Sequence, residues 1–100
     1  MYGRGTYFAD NPEKSDNYTS PPIHYMFVCN VALGEQEVLT QVNNGKLGPA
    51  KGYHSIYGKA NQGGIYEYII DRYGQAKPVY LITYTKWSYV TSNYKYTSWQ

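Results

Sequence analysis

A single glutamate, Glu67, stands in a run that is otherwise aromatic and β-branched, Tyr66-Glu67-Tyr68-Ile69-Ile70. A carboxylate placed there is suited to charge chemistry. Alternation along a strand puts Tyr66 and Tyr68 on one face and Glu67 on the other. That pattern fits a solvent-facing glutamate and a half-buried cleft carboxylate equally well, and the residues alone leave both open. The other chemically capable side chains carry less. His24 and His54 are far from metal-ligand spacing and no cysteine or aspartate cluster joins them, so both read as structural. Cys29 is the one cysteine, which excludes an intrachain disulfide and a multi-cysteine zinc site, and no metal is expected. Lys46, Lys51 and Lys59 are isolated loop lysines, a type that is ordinarily solvated. Taken alone, Gly3 and Gly5 make a turn, Ser15 lies on a helix surface, and Tyr7, Tyr18 and Tyr66 are three of fourteen tyrosines, ordinary strand residues.

These residues need elements to hold them. Residues 6–9 form a short strand after the glycine pair, and Asp10-Asn11-Pro12 then suits a helix start, with a polar cap followed by proline at the first helical position. The helix is expected over residues 12–18 and is stopped by Ser20-Pro21-Pro22, because proline has no backbone donor. Residues 24–33, apolar and partly alternating, make the best strand of the first half; 37–41 make a short one. Asn43-Asn44-Gly45 and Gly48-Pro49 are turn chemistry, and residues 50–59 read as irregular. Residues 65–71 and 79–85 are two further strands, and the short spacer between them predicts an antiparallel hairpin. The expected class is α+β, mostly antiparallel β with one short helix.

A hundred residues make one domain at most. The hydrophobic share is 42% while the mean hydropathy is −0.63; tyrosine accounts for the disagreement and predicts a tyrosine-rich core. Charged residues at 16% are too few for a disordered polyelectrolyte. Net charge is +2 with basic residues scattered, so nucleic acid is not indicated as a partner. No apolar stretch reaches the length of a membrane span, and no membrane partner is expected.

The motifs sharpen this picture. Gly3-Arg4-Gly5-Thr6-Tyr7-Phe8-Ala9 resembles the G-x-G-x-Y-F-A motif of the poly(ADP-ribose) polymerase catalytic domain, and Lys14-Ser15-Asp16-Asn17-Tyr18 follows at that family's spacing. Val31-Ala32-Leu33-Gly34 is similar to its V-x-L-G, and Gly52-Tyr53-His54-Ser55 to its G-x-H-S. The Glu67 run is similar to the strand bearing the catalytic glutamate, and Pro78-Val79-Tyr80-Leu81-Ile82-Thr83-Tyr84 to the closing P-x-Y-L-I-x-Y strand of the tankyrase branch. The first four of these matches, in order, already make the resemblance specific, and the last two extend it.

The resemblance implies residues 1–85 as the C-terminal part of such a domain and part of the split two-sheet ADP-ribosyl transferase fold; residues 86–100, unassigned by it, read as a tail because Ser, Thr and Asn interleave their tyrosines. It implies NAD as substrate, cleaved at the nicotinamide–ribose bond, with ADP-ribose passed to protein or polymer acceptors. Glu67 is implied as catalytic; Tyr7, Ser15 and Tyr18 as the nicotinamide-binding residues; Gly5 and Lys14 as further members of the site. A flat cation is well held between aromatic faces with a hydroxyl on its carboxamide. The family's H-G dipeptide lies upstream of the glycine motif and does not occur here, so this chain alone is expected to be inactive. The alternative is a non-catalytic module binding ADP-ribose or a partner protein. An intracellular location, nuclear or cytoplasmic, is expected.

Overall fold

The computed structural model describes residues 1–60 and 66–85. Strand β1 (Thr6–Ala9) leads into helix α1 (Pro12–Asp16). Asn11 caps α1, its side chain accepting a hydrogen bond from the Glu13 N–H at 2.9 Å, and Pro12 follows where a missing N–H does no harm. The helix is shorter than the predicted 12–18. Asn17, Tyr18 and Thr19 return their N–H groups to the carbonyls of Lys14, Ser15 and Asp16, closing tight turns instead of a further α-helical turn.

The remaining strands are β2 (His24–Val31), β3 (Gln36–Leu39), β4 (Ser55–Gly58), β5 (Glu67–Ile70) and β6 (Ala76–Tyr84). They form a four-stranded sheet of order β1-β5-β4-β3 and a two-stranded ribbon, β2-β6. Pairing is antiparallel except for β3 with β4, which is parallel. The fold is thus mostly antiparallel, mixed in one pair, with one short helix. Residues 40–54 make the crossover that a parallel pair requires.

Two expectations are corrected. Residues 50–59 are not irregular throughout, since β4 runs through them as a central strand, two of whose four residues (Ser55, Ile56) are wholly buried. The strands around 67–70 and 76–84 do not form a hairpin. Both edges of β5 are already taken, by β1 and β4, so the chain leaving β5 has no free edge to return to. It crosses to β2, with a bulge at Val28/Cys29 where Cys29 faces Pro78, a residue that has no ladder donor.

The core is Tyr2, Ile56 and Ile69, all fully buried, with Tyr7, Leu39 and Ala60 packed against it. Tyrosine contributes as expected, yet among the described tyrosines only Tyr2 and Tyr84 are fully interior. Helix α1 approaches both β1 of the sheet and β2 of the ribbon, and so stands where the two β-layers diverge.

Candidate active site

Glu67 is the first residue of β5, the strand flanked on both sides. Its register partners are Ala9 and Gly58. Directly opposed residues share a face, so the glutamate stands between the two smallest side chains of its row. On the Gly58 side the gap is filled by the Tyr2 ring: a Cβ at Gly58 would meet it at 2.3 Å. On the Ala9 side the gap stays open toward α1. The carboxylate is thereby 5% exposed without being sealed in. The sequence left its orientation open; burial among small neighbours decides it.

Lys14, in the middle of α1, extends into this opening. Its Nζ lies 3.8 Å from Glu67 Oε1, with the two side chains 17% and 6% exposed. Charges this poorly hydrated attract more strongly than a surface pair does.

The pair lies in a cleft of about 1050 Å³ whose walls include Tyr7, Ser15 and Tyr18. Tyr7 shares the Glu67 face of the sheet, two residues before Ala9 on β1. Its hydroxyl accepts from the Tyr2 N–H at 3.0 Å and donates to the Gly3 carbonyl at 2.6 Å, which fixes the ring while engaging its polar end. Tyr18, just past α1, is 77% exposed and presents its ring to solvent at the rim. Gly5 is not a wall of the cleft. A Cβ there would come within 2.5 Å of Ile69 Cγ2 and 2.7 Å of the Ile70 carbonyl, at φ +142°, so its part is to let β1 approach β5.

The opposite wall was missed in the sequence: Met26, Phe27 and Cys29 of β2 and Ile82 of β6. The signal was the strong strand pattern of residues 24–33, but nothing in one strand says which cleft it will face. Also missed was Asp10, whose carboxylate accepts from the Tyr68 hydroxyl at 3.0 Å. Partial burial, then this bond to Asp10 and contact with Tyr57, push the Tyr68 phenol well above its ordinary value of 10.0.

Other expectations fall outside the cleft. Lys46 pairs with Glu37 at 3.1 Å and is not simply solvated, while Lys59 lies over the rings of Tyr57 and Tyr66. His54 Nδ1 accepts from the Glu35 N–H at 2.9 Å, a loop-fixing contact. Among the described residues no three His, Cys, Asp or Glu side chains gather as a metal site.

A buried carboxylate held by an ammonium at the base of an aromatic-edged cleft is equipped to bind a hydroxyl and to face positive charge as it develops on a neighbouring carbon. The poly(ADP-ribose) polymerase catalytic domain, as a family, matches residues 1–78. A poly [ADP-ribose] polymerase tankyrase of Caenorhabditis elegans is 42% identical over 45 residues, which cover 42% of this chain and 2% of the worm protein. The chain therefore spans a small fraction of that relative's length. Because the family match takes in β1, α1 and β5, the elements whose meeting creates the Glu67 cleft, the chain belongs to the poly(ADP-ribose) polymerase catalytic-domain family.

Proposed function

We propose that this chain carries the glutamate-bearing part of an NAD-dependent ADP-ribosyltransferase, and that Glu67 is its catalytic carboxylate. The observation that carries this reading is the placement of Glu67, buried at the base of the cleft and 3.8 Å from Lys14. In the reaction the bond between nicotinamide and ribose breaks, nicotinamide leaves with the bond pair, and the ribose carbon becomes oxocarbenium-like until an acceptor oxygen on protein or polymer adds and loses its proton. Glu67 binds a ribose hydroxyl and stabilises that charge. Lys14 holds the carboxylate in place. Tyr7 and Tyr18 offer ring faces to the nicotinamide, and Ser15 offers a hydroxyl to its carboxamide.

Residues 1–85 are read as the C-terminal part of the catalytic domain, in the two-sheet transferase arrangement, and the location as intracellular, nuclear or cytoplasmic. The predicted tail, residues 86–100, lies outside the described residues. The H-G strand of the family's site is not among these 100 residues, so turnover is expected only when that strand is supplied.

The test is nicotinamide release from NAD by the chain alone, by the chain fused behind the upstream half of a family catalytic domain, and by that fusion carrying Glu67→Ala. Turnover by the fusion and its loss with Glu67→Ala support the reading. An inert, folded fusion, or one in which Glu67→Ala is fully active, overturns it in favour of a binding module.

A further inference from the structure

Four side chains beside the cleft, three buried and Thr19 half-buried, form a polar cluster that the chemistry above does not use. Asp16 ends α1, His24 opens β2 and Tyr84 ends β6, each almost fully buried. The Tyr84 hydroxyl donates to Asp16 Oδ1. His24 is the register partner of Tyr84, and their rings stack with centroids 5.2 Å apart and planes 23° from parallel. His24 Nδ1 lies 2.5 Å from Thr19 Oγ1, and Thr19 Oγ1 donates to the Asp16 carbonyl at 3.0 Å. A hydroxyl has one proton, and this one is directed at the carbonyl. Thr19 Oγ1 thus bridges the imidazole and the Asp16 carbonyl. The contacts run from His24 through Thr19 to the backbone of Asp16, while Tyr84 closes on the side chain of the same residue.

The site needs such a device. A helix of five residues does not hold its own position in water, yet α1 carries Lys14 and Ser15. Its leading end is tied to the four-stranded sheet through Asp10 and Tyr68. Its trailing end is tied to the ribbon through Asp16 and Tyr84. Displacement of a reacting or orienting group by about 1 Å is enough to cost on the order of a hundredfold in rate, so the trailing tie matters to everything α1 presents to the cleft.

We propose that Asp16, Thr19, His24 and Tyr84 act as a latch between α1 and the β2-β6 ribbon, and that Asp16 and Tyr84 are positioning residues for the nicotinamide-type site. The proposal rests on the reading of the cleft given above. Buried polar groups in a small domain are costly unless each is satisfied, and here Thr19, Tyr84 and, through Thr19, His24 converge on Asp16, the last residue of the site helix.

The experiment uses the full chain, with benzamide as the probe because it presents the flat ring and carboxamide of nicotinamide. Tyr84→Phe keeps the ring and its stacking on His24 and removes only the donor. In this variant, and in Asp16→Ala, benzamide affinity is expected to fall about tenfold, the scale of one hydrogen bond to a charged acceptor. The double variant should lose no more than either single one. Ile70→Val, which lowers stability away from the latch, should leave affinity unchanged and so separates positioning from general loosening. Independently of any ligand, amide exchange at Tyr18 and Thr19, whose N–H groups bond to the helix carbonyls, should quicken about tenfold in Tyr84→Phe.

Wild-type affinity and unchanged exchange in Tyr84→Phe overturn the latch. If wild-type chain does not bind benzamide while exchange at Tyr18 and Thr19 still responds to Tyr84→Phe, the latch stands and the nicotinamide reading falls. Should Tyr84→Phe not fold, Thr19→Val is read in its place by the same exchange, and no change there overturns the proposal.

Discussion

Lys14 on α1 and Glu67 on β5 form an ion pair 3.8 Å apart that joins the helix to a central strand of the sheet, with little water reaching either group. Because the pair is shielded, breaking it from one side leaves a charge without compensation. Lys14→Met is expected to lower stability by about 1–3 kcal/mol, below the cost for a fully buried pair because Lys14 keeps some hydration. Denaturant midpoints measure this, and Lys14→Arg should retain most of the stability. Equal midpoints for Lys14→Met and wild type would show the pair to be incidental.

Glu67→Gln keeps the shape of the side chain and removes its charge. In the fusion that turns over NAD, kcat is expected to fall by about 10²–10³ with little change in KM, since the carboxylate acts on charge present only in the transition state. A change confined to KM would assign Glu67 to substrate binding instead.

Tyr18 separates binding from folding. Its ring is largely exposed, so Tyr18→Ala should leave stability within about 0.5 kcal/mol while lowering benzamide affinity by roughly fivefold, the scale of one aromatic contact. Titration calorimetry and thermal melts on the same samples test it; unchanged affinity removes Tyr18 from the site.

Gly58→Ala places a methyl group where the Tyr2 ring lies, at 2.3 Å from Cε2. Overpacking of this kind costs about 1–3 kcal/mol. The ring has no room to yield, because it is fully buried and its hydroxyl accepts from the Ala60 N–H at 2.8 Å. Tyr2→Ala in the same chain should recover none of the loss, since it empties the core instead. A melting temperature equal to wild type in Gly58→Ala would refute the packing.

Tyr68 gives a pH signature. Partial burial and then the bond to Asp10 favour its neutral form, so at alkaline pH the folded chain holds a proton that the unfolded chain releases. Stability from this group is complete below about pH 10 and is lost as pH rises beyond it toward the folded-state value. Chemical denaturation between pH 9 and 11, about one unit either side of the free phenol value, should show wild type losing more stability than Tyr68→Phe. Parallel losses in the two would exclude the effect.

The strand and turn chemistry of this chain made most elements legible. Thr6-Tyr7-Phe8-Ala9, the Asn11-Pro12 start and the long run from His24 all appear near their expected places. Partner choice was not legible. Residues 65–71 and 79–85 have the same character and a short spacer, so local pattern alone pairs them; what prevents it is β1, some sixty residues earlier, which occupies the needed edge. Strand β4 went unseen because Ser55-Ile56-Tyr57-Gly58 is short and ends in glycine, and its identity as a strand comes from neighbours on both sides. For the site, Tyr7, Lys14, Ser15, Tyr18 and Glu67 meet in one cleft as the motif order implied, whereas Gly5 turned out to act through backbone approach. Asp16 and Tyr84 carry no pattern that marks them, since their meaning arises only when the ends of a helix and a strand coincide.

The seating of β1 against β5 also dictates when the cleft comes into being. Thr6 must wait for Ile70, and His24 for Tyr84, so almost no ordered pairing is available to the first half of the chain by itself. Closing such long loops before any contact rewards them is slow, on the order of milliseconds to seconds. During synthesis β1 emerges some sixty residues before β5, and the edge that β5 will take stays unpaired for that interval. The cleft is thus among the last features to form, and a nascent chain halted before Glu67 would hold Tyr7 and Tyr18 and lack the carboxylate they are meant to face.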